Sequence, residues 1–516
     1  WKFLEQPEAK QYVESAETVH ELFADERLDL WTHLMLQVIG KLNADWTRPA
    51  AATAISIPKE KKVLPKVELH GCDILVPIED EDWPGDHWYN VKAFGFIRDT
   101  SPFEETFKDT WVPGEDMEGY VLSKVGKMWP RVNVHWNDRY SDRAIELLAF
   151  YGLGQHMVEK LPEAHDDGSY YVIIMNFMDV LDVRPGYAKY GADAFYDSEG
   201  KVIKIVRQGE TYRPGDAGWE YAKMCFRGSL LSKVTNFDHL LGIHMIVANR
   251  LVTSSREQLG PNHPLRRLLK PFTFRSVAIN YGASYGLFMP RGFLQRSCAL
   301  SDKGMQQTWE IGQANFRFEP FPELKARQNI DTITLPFHED GMDYWNMVRN
   351  FVSDYIDLYF KSEEELNEDA DIKDFWAYLK ITLPNNMIRD LSLDNLKDLV
   401  AHAIFHVSAI HNQVGTIAEY TSDPAFCPTA WVEGELAGRP GTSVRQGLLL
   451  SLAGSAQPSI KEDFSHVMLD DEAKAVCKKF TAEVNAFPPV VKERNTRRKQ
   501  AYQTFNPDTM EMAVSI

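Results

Sequence analysis

Histidines five apart, twice over, are the residues of this chain with the most chemistry in them: His239-x-x-x-x-His244 in one apolar stretch and His406-x-x-x-x-His411 in another. A neutral imidazole offers one lone pair, so several that converge could hold a transition metal. In an ideal α-helix, positions five apart diverge by roughly 140°, and only a local π-bulge would aim both rings of one pair at the same ion. Taken alone, such a pair reads equally as two satisfied core or surface histidines. A third element is Met512-Ala513-Val514-Ser515-Ile516, apolar enough to enter a core, where the main-chain carboxylate of Ile516 could act as an Asp side chain does; a frayed tail is the ordinary alternative. Three imidazoles plus one or two oxygen donors and an open position suit non-haem iron, with manganese as the alternative, better than a closed tetrahedral zinc site. His402 and His406 can share one helix face and read as packing or hydrogen bonding behind such a site.

These groups need long helices to position them, and the patterning predicts mainly α structure. Helical periodicity runs through 230–252, 343–360 and 394–413, with a further helix around Ser141 to Leu153. Small β elements occupy the amino-terminal half: Tyr170 to Met175 reads as a buried strand. Asp193 to Val206 reads as a hairpin turning at Asp197-Ser198-Glu199-Gly200. Trp31, Leu34, Met35, Val38, Ile39 and Leu42 follow helical spacing, and Pro, Gly and charge break the stretch from about Asn43 to Pro130 into short strands and loops. We expect a helical and irregular extension over 1–110 packed on a body over 111–516.

The 516 residues are 44% hydrophobic, enough for a large core. A net charge of -18 argues against nucleic acid as a partner, since phosphate contacts need clustered positive charge. The five cysteines are scattered with no C-x-x-C pair, which suggests neither a disulfide scaffold nor a thiolate zinc site and favours a reducing, cytoplasmic location. No run is long and apolar enough for a transmembrane segment, leaving peripheral membrane contact as the one membrane association to consider. The chain opens on Trp1, so its native amino terminus, with any targeting signal, is expected to be missing from the sequence.

From about Trp111 to Ile516 the chain resembles the lipoxygenase family. The resemblance rests on Trp219-Glu220-Tyr221-Ala222-Lys223 leading to His239 and His244; on Asn262-His263-Pro264 running to Pro271; and on Ala278-Ile279-Asn280. Ser408-Ala409-Ile410-His411, the terminal Val514-Ser515-Ile516, Ser141-Asp142 and the Asp193 to Val206 hairpin complete it. It implies a large helical catalytic domain whose non-haem iron is held by His239, His244, His411 and the Ile516 carboxylate. It also implies hydrogen removal from the central methylene of a 1,4-diene in a polyunsaturated fatty acid, followed by O2 addition to give a hydroperoxide. Ala283 matches the position where a small residue governs oxygen access, with Leu287 one turn on pressing against the reacting carbon; Gly282 and Gly286 beside them keep this helix slim. Both are equally readable as packing residues.

The chain departs from the family pattern at Gly415, where a further side-chain ligand is usual, and Asn412, Gln413 and Thr416 are the nearby polar candidates to replace it. Asn249 stands where a histidine is usual, the loop to His263 is about a turn shorter, and because the first segment reads as helical the family's amino-terminal lipid-binding β-barrel is not expected in it. Alternatives to the fatty-acid dioxygenase are an oxygenase of this fold that takes another apolar substrate or converts hydroperoxides, and a non-catalytic lipid-binding protein. A hydrolytic metalloenzyme fits poorly because no H-E-x-x-H is present. Arg227, Lys233 and Arg250 lie near the metal helix in sequence and read as solvated surface charges, not as anchors for a carboxylate.

Overall fold

The computed structural model describes residues 60–80, 110–115 and 136–514, apart from positions 70, 72, 111, 137, 291, 384–386, 418, 419, 421, 422 and 440–458. The helix expected at Trp31 to Leu42, most of the 1–110 extension, Cys72 and Ile516 itself lie outside those residues. Within 60–80, β1 (Lys66–Glu68) and β2 (Leu75–Pro77) form a two-stranded antiparallel ribbon.

A five-stranded antiparallel meander follows, in the order β3 (Glu159–Lys160), β4 (Tyr171–Ile173), β5 (Asp193–Tyr196), β6 (Val202–Arg207) and β7 (Glu210–Tyr212). The expected hairpin is β5 to β6. Its turn is held by the Asp197 carboxylate, which accepts from the backbone N–H groups of Glu199 and Lys201 at 2.8 Å each, and Gly200 takes the left-handed φ of 81° that closes it.

The remainder is helical, as the patterning predicts. One continuous helical rod runs from α2 (Trp219–Lys233) through a π-helical segment, π1 (Val234–Ala248), into α3 (Asn249–Gln258). All of π1 except Asp238 is buried, as expected of a helix apolar on every side. Around it lie α4 (Pro264–Leu269), α5 (Ser276–Gly286), α6 (Asp302–Asn315), α7 (Pro336–Tyr359), α8 (Ala370–Thr382) and α9 (Leu393–Phe405). The last continues through a second π segment, π2 (His406–Ile410), into α10 (His411–Gly415), and α11 (Asp471–Ala486) packs along α7.

Side-chain caps mark several starts: the side chains of Ser301, Asp369, Ser392 and Asp470 accept from the backbone N–H three residues on. The amino end of the rod is latched by Asp142 of α1 (Asp142–Phe150), which accepts from Trp219 Nε1 at 2.7 Å and Lys223 Nζ at 2.9 Å. The rod also approaches other backbone closely. A Cβ at Gly228 would lie 2.7 Å from the carbonyl oxygen of Pro428. No helix among the described residues is long and apolar enough to cross a membrane. Cys225, Cys298, Cys427 and Cys477 are free and buried.

Candidate metal centre

The spacing of five in His239 and His244 is met by more than a bulge. Fifteen residues of π1 bond i to i+5, so residues five apart stand close to one turn apart and both rings leave the same face. In the other helix π2 leads directly into His411, while His406 at its start does not join the cluster. The result is a three-histidine cluster: His239 Nε2 lies 3.1 Å from His411 Nε2 and 3.1 Å from His244 Nε2, and all three side chains are buried.

Burial keeps the His239 and His244 imidazoles neutral. His239 is held well below the ordinary histidine range, first by burial and then by the neighbouring His244 and His411. His244 is pushed down to about 4 by burial, against the opposing effect of its hydrogen bond to Asn280. Neutral rings present lone pairs, the form a metal takes. Three lone pairs converging in a water-poor space repel one another, and a cation between them would remove that conflict. Two nitrogens each about 2.1 Å from an ion and 3.1 Å apart subtend roughly a right angle at it, narrower than the tetrahedral angle of structural zinc. That suits a metal with further open positions, as in non-haem iron sites.

Orientation of the cluster comes from α5. His244 Nδ1 donates to Asn280 Oδ1 at 2.8 Å, which fixes the tautomer with the Nε2 lone pair facing the cluster. The Asn280 amide in turn donates to His244 O at 3.0 Å and to Asn249 Oδ1 at 2.9 Å. Asn249, which replaces a histidine of the family pattern, therefore supports the residue that orients His244. Arg275, just before α5, holds a left-handed φ of 52°, and Ser276 Oγ donates to Val514 O at 3.2 Å. Met512, Ala513 and Val514 are buried, so the chain as far as Val514 lies in the core beside α5. Ile516, two residues further, lies outside the described residues.

Gly415 faces the cluster: a Cβ built there would stand 3.5 Å from His239 Nε2. The polar candidates to replace its missing side chain are engaged elsewhere. Asn412 donates to Thr504 O; the Gln413 amide donates to Gly152 O at 3.3 Å while its oxygen accepts from Tyr502; Thr416 Oγ1 donates to Gln413 O at 3.4 Å. Gly415→Asn is therefore expected to add a donor next to His239. Metal retention against a chelator should rise on the order of tenfold, the equivalent of about 1.4 kcal/mol.

Ala283 and Leu287 are buried at the end of α5, Ala283 one turn beyond Asn280 and so on the same helix face. The sequence reading of Arg227 needs correction: it is not a solvated charge but is buried, with Nε donating to Phe426 O and its guanidinium over the Phe426 ring. Lys233 is tied to Asp238 at 2.5 Å. His263 sits away from the cluster as the amino-terminal cap of α4, accepting from Leu265 N–H and lying 3.1 Å from Asp369. The sequence marked Asn249 as a departure from the family pattern near the metal, and the structure adds its partner, the Asn280 amide.

A family model for lipoxygenase matches residues 197–414, the span that carries the meander's last strands, both π segments and all three histidines. Over that span the chain is similar to the lipoxygenase family. A linoleate 9/13-lipoxygenase of Pseudomonas aeruginosa is 30% identical over 235 residues, which is 43% of this chain and 34% of that protein. The human hydroperoxide isomerase ALOXE3 is 25% identical over 167 residues, 31% of this chain and 23% of that protein. The chain thus spans about a third or less of the length of these two lipoxygenase relatives. In fold, a coral 8R-lipoxygenase structure superposes with a TM-score of 0.72 at 14% identity, covering 88% of this chain and 79% of that one.

Proposed function

We propose that this chain is a non-haem iron dioxygenase of the lipoxygenase family that converts a polyunsaturated fatty acid and O2 to a hydroperoxide. The observation that carries the reading is the convergence of His239, His244 and His411, all buried, with His239 Nε2 3.1 Å from the Nε2 of each of the other two. These three and the Ile516 carboxylate would hold the metal. Iron bound there supplies a one-electron couple for taking hydrogen from a methylene between two double bonds, a C–H bond weakened by delocalisation.

The residues of the chain do the rest. Asn280 keeps His244 turned toward the cluster, π1 and π2 wall it from water, and Ala283 leaves room for O2 on the α5 face while Leu287 presses on the substrate chain. The name of the bacterial relative, which acts on linoleate, supports the substrate class. Gly415 and the match to a hydroperoxide isomerase favour one second reading, conversion of a hydroperoxide by the same centre.

Metal analysis of the purified chain, combined with oxygen uptake and conjugated-diene formation on linoleate, linolenate and arachidonate, tests both. Near one iron per chain with stoichiometric hydroperoxide is the expected result; manganese in its place corrects the metal alone. Iron without diene formation, but with consumption of an added hydroperoxide, selects the second reading. Absence of metal overturns both in favour of a binding role. The terminal ligand has its own test: one glycine added after Ile516 should abolish metal retention and leave a folded chain that melts like the chelated parent, and unchanged metal content would remove Ile516 from the ligand set.

A further inference from the structure

A cavity of about 820 Å³ lies between α6, π1 and the α9–π2 helix, within the size range of about 300–1,000 Å³ typical of small-molecule pockets. None of the three metal histidines lines it, nor does Ala283 or Leu287. Its lining is mostly apolar, with Ile243, Ile410, Val414 and Phe316 among others, and of its polar side chains His156, Lys233 and Arg327 are paired with Asp238, Glu159 and Glu319. His402 and His406 also line it, and not one of their four ring nitrogens has a hydrogen-bond partner. Both rings pack against Phe318 at steep angles, with ring centroids at 4.3 and 5.9 Å.

Burial holds His402 well below the usual range and pushes His406 down to about 3, so both rings are neutral and each offers one donor and one acceptor. A buried polar group with no partner costs about 1–3 kcal/mol, and two such side chains facing one apolar cavity point to an occupant that satisfies them. The occupant must be mostly hydrocarbon, yet carry a group that both donates and accepts part-way along its length. A hydroxyl does both. At the mouth, Ile174 and Phe177 are partly exposed beside the cavity. Lys233 and Arg327 there are already paired with Asp238, Glu319 and Glu159, whereas Arg317 is exposed and makes no ion pair with any described residue.

We propose that this cavity is a second lipid site, separate from the metal centre, which takes a long-chain fatty acid bearing a hydroxyl along its chain: His402 and His406 pair with the hydroxyl and Arg317 with the carboxylate. The site touches both metal helices, since Ile243 precedes His244 and Ile410 precedes His411. The proposal stands whether or not the reaction above is correct, because binding requires no turnover.

The probes are saturated, so that no diene is present to react: 12-hydroxystearate and stearate, titrated calorimetrically into the full chain as purified. The hydroxy acid is expected to bind at least tenfold more tightly. Ala314→Trp plugs the mouth from an exposed position that spares the fold, and should abolish the preference for the hydroxy acid, leaving at most whatever affinity the metal centre has for either acid. The double variant His402→Phe/His406→Phe should keep stearate affinity, lose the hydroxyl preference and melt higher than the parent, since the unmet polar groups are gone. Equal affinity for the two acids would overturn the proposal and assign the imidazole nitrogens to water. So would a hydroxyl preference that survives the double substitution, failure of either acid to bind, or a preference indifferent to Ala314→Trp, which would put the ligand in another cavity.

Discussion

Replacing His239 by alanine is expected to cost more than about 100-fold in metal affinity, because even residues that only support a ligand are worth about 10–100-fold. Oxygen uptake should fall to background with it. His239 is the member of the cluster nearest to both others, with its Nε2 3.1 Å from each of theirs, so no neighbouring side chain can take over its position. The fold should survive. His239 Nδ1 has no hydrogen-bond partner, and removing the ring takes away a buried polar atom along with the packing it provides. Metal content and melting temperature measured together separate the two effects. Chelation should lower the melting temperature of the parent, by the linkage between binding and stability, and leave that of His239→Ala unchanged. A variant that retains stoichiometric metal would take His239 out of the ligand set, and with it the assignment of this cluster as the metal centre.

The spacing of His239 and His244 was legible in the sequence because metal geometry constrains it: ligands five positions apart demand something other than an α-helix, and π geometry answers. What the spacing could not state was extent. π1 runs for fifteen residues and continues well to either side of His239 and His244, set by packing against α6, α5 and α10 and not by any local residue signal. The Asp193 to Val206 hairpin was legible for a local reason, the Asp-Ser-Glu-Gly turn. Arg227 was misread because charge predicts exposure, and only the fold brings the Phe426 carbonyl over its guanidinium. His402 and His406 showed their shared face in sequence, but the cavity they line is made by α6 and the segment after it, some ninety residues away in the chain. Gly415 was visible as a missing side chain. That it points at His239 Nε2, and that Asn412 and Gln413 turn away, required the helix to be placed.

Asn280 offers a way to separate orientation of the metal centre from stability of the fold, since one amide does two jobs. Its oxygen accepts from His244 Nδ1, which concerns the metal; its nitrogen donates to His244 O and Asn249 Oδ1, which concerns the join between α5 and the rod. Asn280→Ala removes both. It is expected to weaken metal binding about 10–100-fold, freeing the His244 ring to change tautomer, and to lower stability by about 1–3 kcal/mol for the buried groups left unmet. Asn280→Asp keeps the acceptor and loses the donors. It should therefore hold metal close to the parent's level while still melting lower, because the carboxylate faces the His244 carbonyl and the Asn249 oxygen without a proton to offer. Chelator competition and thermal melts on the pair decide the matter. If Asn280→Asp loses metal as completely as Asn280→Ala, the acceptor at His244 Nδ1 is not what orients the ligand, and Asn280 acts on the centre only by holding α5 against the rod.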